Sequence, residues 1–333
     1  MQILLGKKKN FYKANLHCHS TESDGKRSPE ELKEEYKKRG YSVVAFTDHE
    51  HLIDNSHLDD ENFLTITSCE LAIKQFPFES TLKNRDMHVC HLNFYALDPH
   101  NVTTPCYSSV CDHYVRDENR DRIRFEGEYE RVYSAEVIND MIREGQRKGF
   151  IVSYNHPSWS LEDAENYMKY EGLFAVEIYN HSCAMSGHPE DERVFAEMLR
   201  AGKRVFCTAA DDNHNPVSFT APGSDSFGGF VEIDADALEY GEIMRALQSG
   251  DFYASTGPRI TRLTREGNTV RIVTSPVCRI HLLTRGRRTE KAFAVGEDGL
   301  TEATFTLHDT DGFFRLRIED AEGKRAYTQA YPV

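Results

Sequence analysis

The stretch SPEELKEEYKKRGYSVVAFTDH, residues 28–49, decides how this chain is read. Ser28 stands as an N-cap, Pro29 takes the first helical position and Glu31 completes a capping box, so a helix starts here. Lys37, Lys38 and Arg39 suit the negative end of that helix. Gly40 supplies the left-handed residue that closes it. Residues 41–46 then have the length and apolar character of a buried strand, and the strand delivers Asp48 and His49 at its carboxyl end.

The same unit of helix, glycine and strand recurs three times. Residues 135–148 lead through Gly149 to 150–154, residues 190–201 through Gly202 to 204–208, and residues 242–249 through Gly250 to 252–254. Further strands are expected at 12–16, 63–67, 89–95 and 174–179. Strands alternating with helices imply a parallel sheet covered by helices, open or closed. Seven strand candidates run directly into His, Asp, Glu or Asn, which favours a closed α/β barrel with its polar groups gathered at one mouth. After Gly257 and Pro258 the helix signal stops, and short alternating runs separated by Glu-Gly and Asp-Gly turns predict a small antiparallel β-sandwich. The expected organisation is a barrel over 1–256 and a β-sandwich over 257–333. Residues 101–131, polar and too long for an ordinary connection, are expected to form a partly helical insertion near the mouth.

Composition narrows the function classes. The 333 residues are 39% hydrophobic and 28% charged, the balance of a globular protein. With 40 basic and 54 acidic side chains the net charge is -14, which argues against an extended nucleic-acid surface and leaves a small, anionic substrate open. The apolar start followed by Lys7, Lys8 and Lys9 reverses the order of a secretory signal, and no apolar run reaches membrane-spanning length, so a cytoplasmic location is expected. The eight cysteines lie mainly in strand-like segments without CxxC pairing and are read as free thiols.

The chemistry lies in the polar clusters: His17 and His19 with Asp24, Asp48 and His49, Glu70, His91, Asn155 and His156, Asn180, and Asp212 to His214. In an extended segment His17 and His19 point to one side while Cys18 turns away, as a shared cation requires. By the same alternation Cys69 and Cys90 belong to the packed shell behind the site. His88 competes with His91, and Asp211 with Asp212. Imidazoles and carboxylates without thiolates suit two or three divalent Zn, Mn or Fe ions in an open, catalytic arrangement.

The stretches HCHSTESDG (17–25), AFTDHEHL (45–52), HLNFYALD (91–98), YNHPSW (154–159) and AADDNHN (209–215) resemble the PHP (polymerase and histidinol phosphatase) family of metal-dependent hydrolases, over about the first 255 residues. The resemblance implies a distorted seven-stranded β/α barrel, TIM-like, with up to three metals. One would be held by His17, His19, Glu70 and Asp212, a second by Asp24, His49 and His214, and a third by Glu70, His91 and His156. Family usage selects His91 over His88 and Asp212 over Asp211. Some relatives carry histidine where this chain has Asp24. The segment DFYASTGPRI (251–260) and the β-rich tail are similar to the carbaryl hydrolase-related subgroup, called CehA/McbA-like.

The leading expectation is a phosphoesterase acting through a metal-activated hydroxide, with Glu70, Asp212 and His214 as candidate catalytic residues. Lys26 and Arg27 are candidate phosphate-binding residues, although solvated charges before a helix are equally ordinary. Arg116, Arg120, Arg122 and Arg124 of the insertion are read first as a salt-linked surface. Carbamate, amide or carboxyl-ester hydrolysis is the alternative, with Trp159 and Asn180 on the pocket wall. A non-catalytic metal-binding module is the third reading.

Overall fold

The computed structural model describes residues 1–77, 79 and 83–333. Ten strands carry the argument: β1 Gln2–Leu5, β2 Asn10–Cys18, β3 Val43–Phe46, β4 Leu64–Lys74, β5 Val89–Ala96, β6 Phe150–Tyr154, β7 Ala175–Asn180, β8 Phe206–Ala210, β9 Phe230–Ala235 and β10 Phe252–Ser255. The principal helices are α1 Pro29–Lys38, α2 Ala135–Arg147, α3 Glu192–Arg200 and α4 Tyr240–Ser249. Both arms of the capping box at Ser28 and Glu31 form. Gly40, Gly149, Gly202 and Gly250 all take positive φ, between 72° and 86°, as the helix endings require.

The chain is a mixed α/β fold built on one large sheet. Its path runs β8, β7, β6, β5, β4, β3, β2, β9, β10 and on into Arg325–Tyr327, Phe313–Glu319, Arg279–Thr284 and Thr289–Phe293. The expectation of parallel pairing holds for β2 with β3, β3 with β4, β6 with β7 and β7 with β8. It fails at β5, which is antiparallel to both β4 and β6, and at β10, which is antiparallel to β9, a strand that the sequence reading did not place and that is itself antiparallel to β2. A parallel return needs a crossover, usually a helix. Here β5 runs back along β4 instead, with Lys74 paired to Val89.

Beyond β8 the backbone returns to the other edge of this run. Asp212 N–H donates to the His17 carbonyl at 2.8 Å, and His19 N–H donates to the Asn213 carbonyl at 3.1 Å. These links join the carboxyl ends of β2 and β8.

One apolar core lies between the sheet and the helices α2 and α3. Leu71, Ile73, Leu92, Phe94 and Val152 meet Ile138, Met141, Ile142, Phe195 and Met198 there. Cys69 and Cys90 are buried in this core, on the faces of β4 and β5 opposite Glu70 and His91. At Gly145 of α2 a Cβ would stand 2.4 Å from the Phe94 ring, so glycine is what lets this helix sit down on β5. Phe94 is fully buried, and truncation to alanine costs about 3–5 kcal/mol.

A second core joins two antiparallel sheets. Leu263, Val270, Ile272 and Phe305 from one face Ile280, Leu282, Phe314, Leu316 and Ile318 from the other. β1 pairs with Ile260–Glu266 in the first of these sheets. The second continues the large sheet, because Arg325–Tyr327 pairs with β10. Hydrogen bonding is therefore continuous across residue 256.

The segment 101–131 contains only short elements: paired Thr103–Thr104 and Arg124–Phe125, and the helical turns Asp112–Tyr114 and Asp117–Arg120. Arg116 donates to the carbonyls of Ser23 and Gly25, and Arg122 pairs with Glu22 at 2.8 Å. These contacts lay the segment against the loop that carries Asp24. All eight cysteines stand unpaired. No helix among the described residues is long and apolar enough to cross a membrane.

Candidate metal centre

Seven strands bring their polar residues to one end of the sheet. His17 lies one residue before the end of β2 and His19 follows the strand; His49 follows β3, His156 follows β6, and Asp212 and His214 follow β8. Two residues depart from the expected placement at carboxyl ends. Glu70 sits in the middle of β4, which runs on to Lys74, and His91 lies near the start of β5. The reversal of β5 explains the second, since its amino end is the one at the site. The register sets Ala72 opposite His91, which places His91 beside Glu70 on the same face.

Glu70 is the centre of the cluster. Its Oε1 lies 3.3 Å from His17 Nε2, 3.2 Å from His91 Nδ1 and 3.4 Å from His156 Nε2. Its Oε2 lies 3.5 Å from His19 Nε2 and 3.2 Å from His49 Nδ1. Asp212 Oδ1 is 3.1 Å from both His17 Nε2 and His19 Nε2, which are 3.2 Å from each other. Asp24 Oδ1 stands 3.4 Å from His214 Nε2 and 3.8 Å from His49 Nε2. In a tetrahedral site with bonds of 2.0–2.2 Å, neighbouring donors are about 3.3–3.6 Å apart. The spacings around Glu70 and Asp212 are close to that figure.

Ligand atoms of His17, His19, Glu70 and Asp212 form one compact group; those of Glu70, His91 and His156 form another; and those of His19, Asp24, His49 and His214 a third, each within 4.8 Å. Among the described residues four buried atoms at this place have no hydrogen-bond partner: Nδ1 of His19 and of His49, Nε2 of His91 and Oδ1 of Asp212. An unmet buried polar atom costs about 1–3 kcal/mol. Unmet buried atoms among imidazoles and carboxylates, without thiolates, fit divalent cations.

The electrostatics agree. Burial disfavours charge on every group here, yet the rings of His91, His17 and His156 hold Glu70 well below the usual carboxylate range. Asp212 is likewise depressed against burial by His17, His19, His156 and His214. Burial also opposes charge on His17, but Asp212, Glu70 and Glu177 outweigh it and raise its pKa well above that of free imidazole. For His49 burial wins and the pKa falls to about 3. The two carboxylates thus call for positive charge, as protons on the rings or as metal ions.

The backbone is forced at two of these residues. Asp212 and His156 have φ of 54° and 28°, left-handed values rare for side chains other than glycine. Strain of this kind gathers at functional sites.

Glu177, Asp48 and the pair Glu50 and Arg131 support the cluster, and of these Asp48 alone stands among the polar clusters read from the sequence. Glu177 accepts from His17 Nδ1 at 3.0 Å, from His156 N–H at 3.2 Å and from Asn180 Nδ2 at 2.8 Å. A register shift in the β7 ladder lets Glu177 and Asn180, three apart, face the same way. The visible signal was a carboxylate between Val176 and Ile178 in a buried strand, which needs a partner. Asp48 accepts from Ser20 and Ser23 and so folds the loop leading to Asp24. Glu50 and Arg131 form a buried bidentate pair, both arms at 2.6 Å.

The remaining candidates divide. Asp211 turns away, accepting from Tyr36 and from the amides of Phe227, Gly228 and Gly229. His88 lies beside Tyr133, ring centroids 6.1 Å apart and tilted by 40°, instead of joining the cluster. Lys26 is exposed on a small cleft beside Asp24. Arg27 lies 3.7 Å from Glu31 and over the Phe219 ring, facing the start of α1. Asn180 gives its amide to Glu177 and Asp212 and its oxygen to Cys183 N–H, so it braces Asp212. Trp159 packs on the cluster, its ring 5.0 Å from that of His156 and 5.4 Å from that of His91.

No family model and no curated protein matches this chain. Among solved structures it is similar to a two-domain protein of Bacteroides vulgatus described as containing a predicted PHP-like metal-dependent phosphoesterase, at 13% identity, 100% of this chain and 98% of that one, TM-score 0.47. A putative metal-dependent phosphoesterase of Bifidobacterium adolescentis aligns at 16% identity over 64% of this chain and 92% of its own, TM-score 0.35. An amidohydrolase of Chromobacterium violaceum with bound sulfate and no metal aligns at 14% identity over 60% and 87%, TM-score 0.37.

Proposed function

We propose that this chain is a metal-dependent hydrolase of small phosphate esters. The observation that carries the reading is Glu70, a buried carboxylate contacted by the rings of His17, His19, His49, His91 and His156. In this reading His17, His19, Glu70 and Asp212 hold one ion, Asp24, His49 and His214 a second, and Glu70, His91 and His156 a third, the ions being Zn, Mn or Fe. Bound divalent ions at such places supply an acidified water and positive charge for the oxygens of an ester. Glu70 and Asp212 fix the rings and hold their charge. His214, whose side chain is 30% exposed, is the most open ring of the three groups and the one nearest an arriving substrate. Lys26 on the cleft meets the anion, and Trp159 forms the apolar wall for the leaving group.

We also read the run from β2 to β8 as a distorted barrel whose mouth holds the site, residues 257–333 as an appended β-sandwich, and 101–131 as an insertion at the mouth. The backbone links between His17, His19 and the Asp212 segment support closure. Trp159 favours an aromatic group beside the metals and thereby sustains a second reading, hydrolysis of an aryl carbamate or ester.

The deciding experiment measures metal content, then turnover of phosphate monoesters, diesters and aryl carbamates by Mn²⁺-, Zn²⁺- and Fe²⁺-loaded protein. Two to three equivalents of metal with phosphate release is the expected result. Carbamate cleavage without phosphate release overturns the phosphoesterase reading, and failure to bind metal overturns both.

A further inference from the structure

Lys74 ends β4 on the face that carries Glu70 and Ala72, since residues two apart share a strand face. It is only 1% exposed. Among the described residues its ammonium has one hydrogen-bond partner, Nε2 of His113 at 2.7 Å. Its Nζ also stands 4.9 Å from the centre of the Tyr114 ring, which in turn lies 4.8 Å from the ring of His49. The Tyr114 ring thus stands next to both the buried ammonium and a ring of the metal cluster, and the Lys74 charge also acts on His91. His113 and Tyr114 line the cleft that also contains Asp24 and Lys26.

No carboxylate among the described residues neutralises this charge. Burial lowers the pKa of Lys74, and Glu50, whose field opposes that, is already bound through both oxygens by Arg131. His113 is a neutral acceptor, since burial and the neighbouring ammonium lower its pKa. Burying an ammonium without an anion is unfavourable, and replacing such a group by an apolar one of similar size is commonly neutral or stabilising. A buried amine of this kind beside a cluster of candidate ligands is a candidate for meeting an anion.

We propose that Lys74 is a substrate-binding residue whose ammonium takes a charged non-bridging oxygen of a phosphomonoester lying on the metal cluster. The inference rests on the hydrolase reading above and adds to it the group that selects an anionic ester over a neutral one. Lysine suits the task as a compact point charge with three donors.

The test compares full-length wild type with Lys74→Met and Lys74→Arg, each loaded with Mn²⁺. Inorganic phosphate binding is measured by calorimetry, alongside metal content, melting temperature, and KM and kcat for 4-nitrophenyl phosphate and the neutral 4-nitrophenyl acetate. Lys74→Met is expected to keep its metal and to melt at or above the wild-type temperature. Its phosphate affinity should fall at least tenfold, the loss in turnover should appear in KM for the phosphate ester only, and Lys74→Arg should recover most of it. Phosphate affinity within twofold of wild type in Lys74→Met overturns the assignment. So does a Lys74→Met protein that unfolds or loses metal, which makes the ammonium a structural prop. If wild type binds phosphate but turns over no ester, the hydrolase reading falls while the phosphate arm still judges Lys74.

Discussion

Glu177→Gln separates a residue that braces the metal ligands from one that merely fills the core. The Glu177 carboxylate holds the His17 ring, the His156 amide and the Asn180 side chain at 3.0, 3.2 and 2.8 Å. Glutamine keeps the shape, but one acceptor oxygen becomes an NH₂ group that faces a donor. At least one charge-assisted hydrogen bond is lost, about 1.5–3 kcal/mol. Because each 1.4 kcal/mol is tenfold, affinity for the ion next to His17 should fall about 10–100-fold. The assay is competition of Mn²⁺ or Zn²⁺ between the protein and a chelating dye, with the melting curve as control for folding. A folded variant with affinity within twofold of wild type refutes the bracing role. A loss beyond about 1000-fold makes Glu177 a direct ligand, contrary to its position on the Nδ1 side of His17, away from Glu70 and Asp212.

Asp24→Asn should remove one equivalent of metal, read by elemental analysis, and leave the ions around Glu70 in place, because among the described residues the candidate ligands beside Asp24 are His19, His49 and His214. Glu50→Ala leaves the Arg131 guanidinium buried without its partner and should cost about 3–5 kcal/mol in denaturant unfolding, whereas the double change Glu50→Met with Arg131→Met should cost less than that single change. Asp191 is held by Ser158, but burial outweighs that bond and raises its pKa to about 6. Its contribution to stability is full below the unfolded carboxylate value and is lost as pH rises through about 6, so Asp191→Asn should gain melting temperature over wild type at pH 8 but not at pH 4. An equal difference at both pH values contradicts that titration.

What the sequence determined by itself is local. The capping box at Ser28 and Glu31, the glycines closing four helices, the alternation that sets His17 and His19 on one side and Cys18 on the other, and the change to hairpins after Pro258 all depend on residues within a few positions of one another. The resemblance of the five motifs then named ligand groups that the structure brings within reach: His17, His19, Glu70 and Asp212; Glu70, His91 and His156; and Asp24 and His49 with His214. Tertiary structure alone decided the rest. The reversal of β5, the continuity of the sheet into Arg325–Tyr327, the bracing by Glu177, the position of Arg27 against Glu31 and the burial of Lys74 under His113 and Tyr114 follow from pairings between distant segments. A cap or an alternating strand is fixed by the geometry of a few peptide units. Which strand lies beside which, and which charge meets which, is fixed only when the whole core closes, and no short window of sequence contains that information.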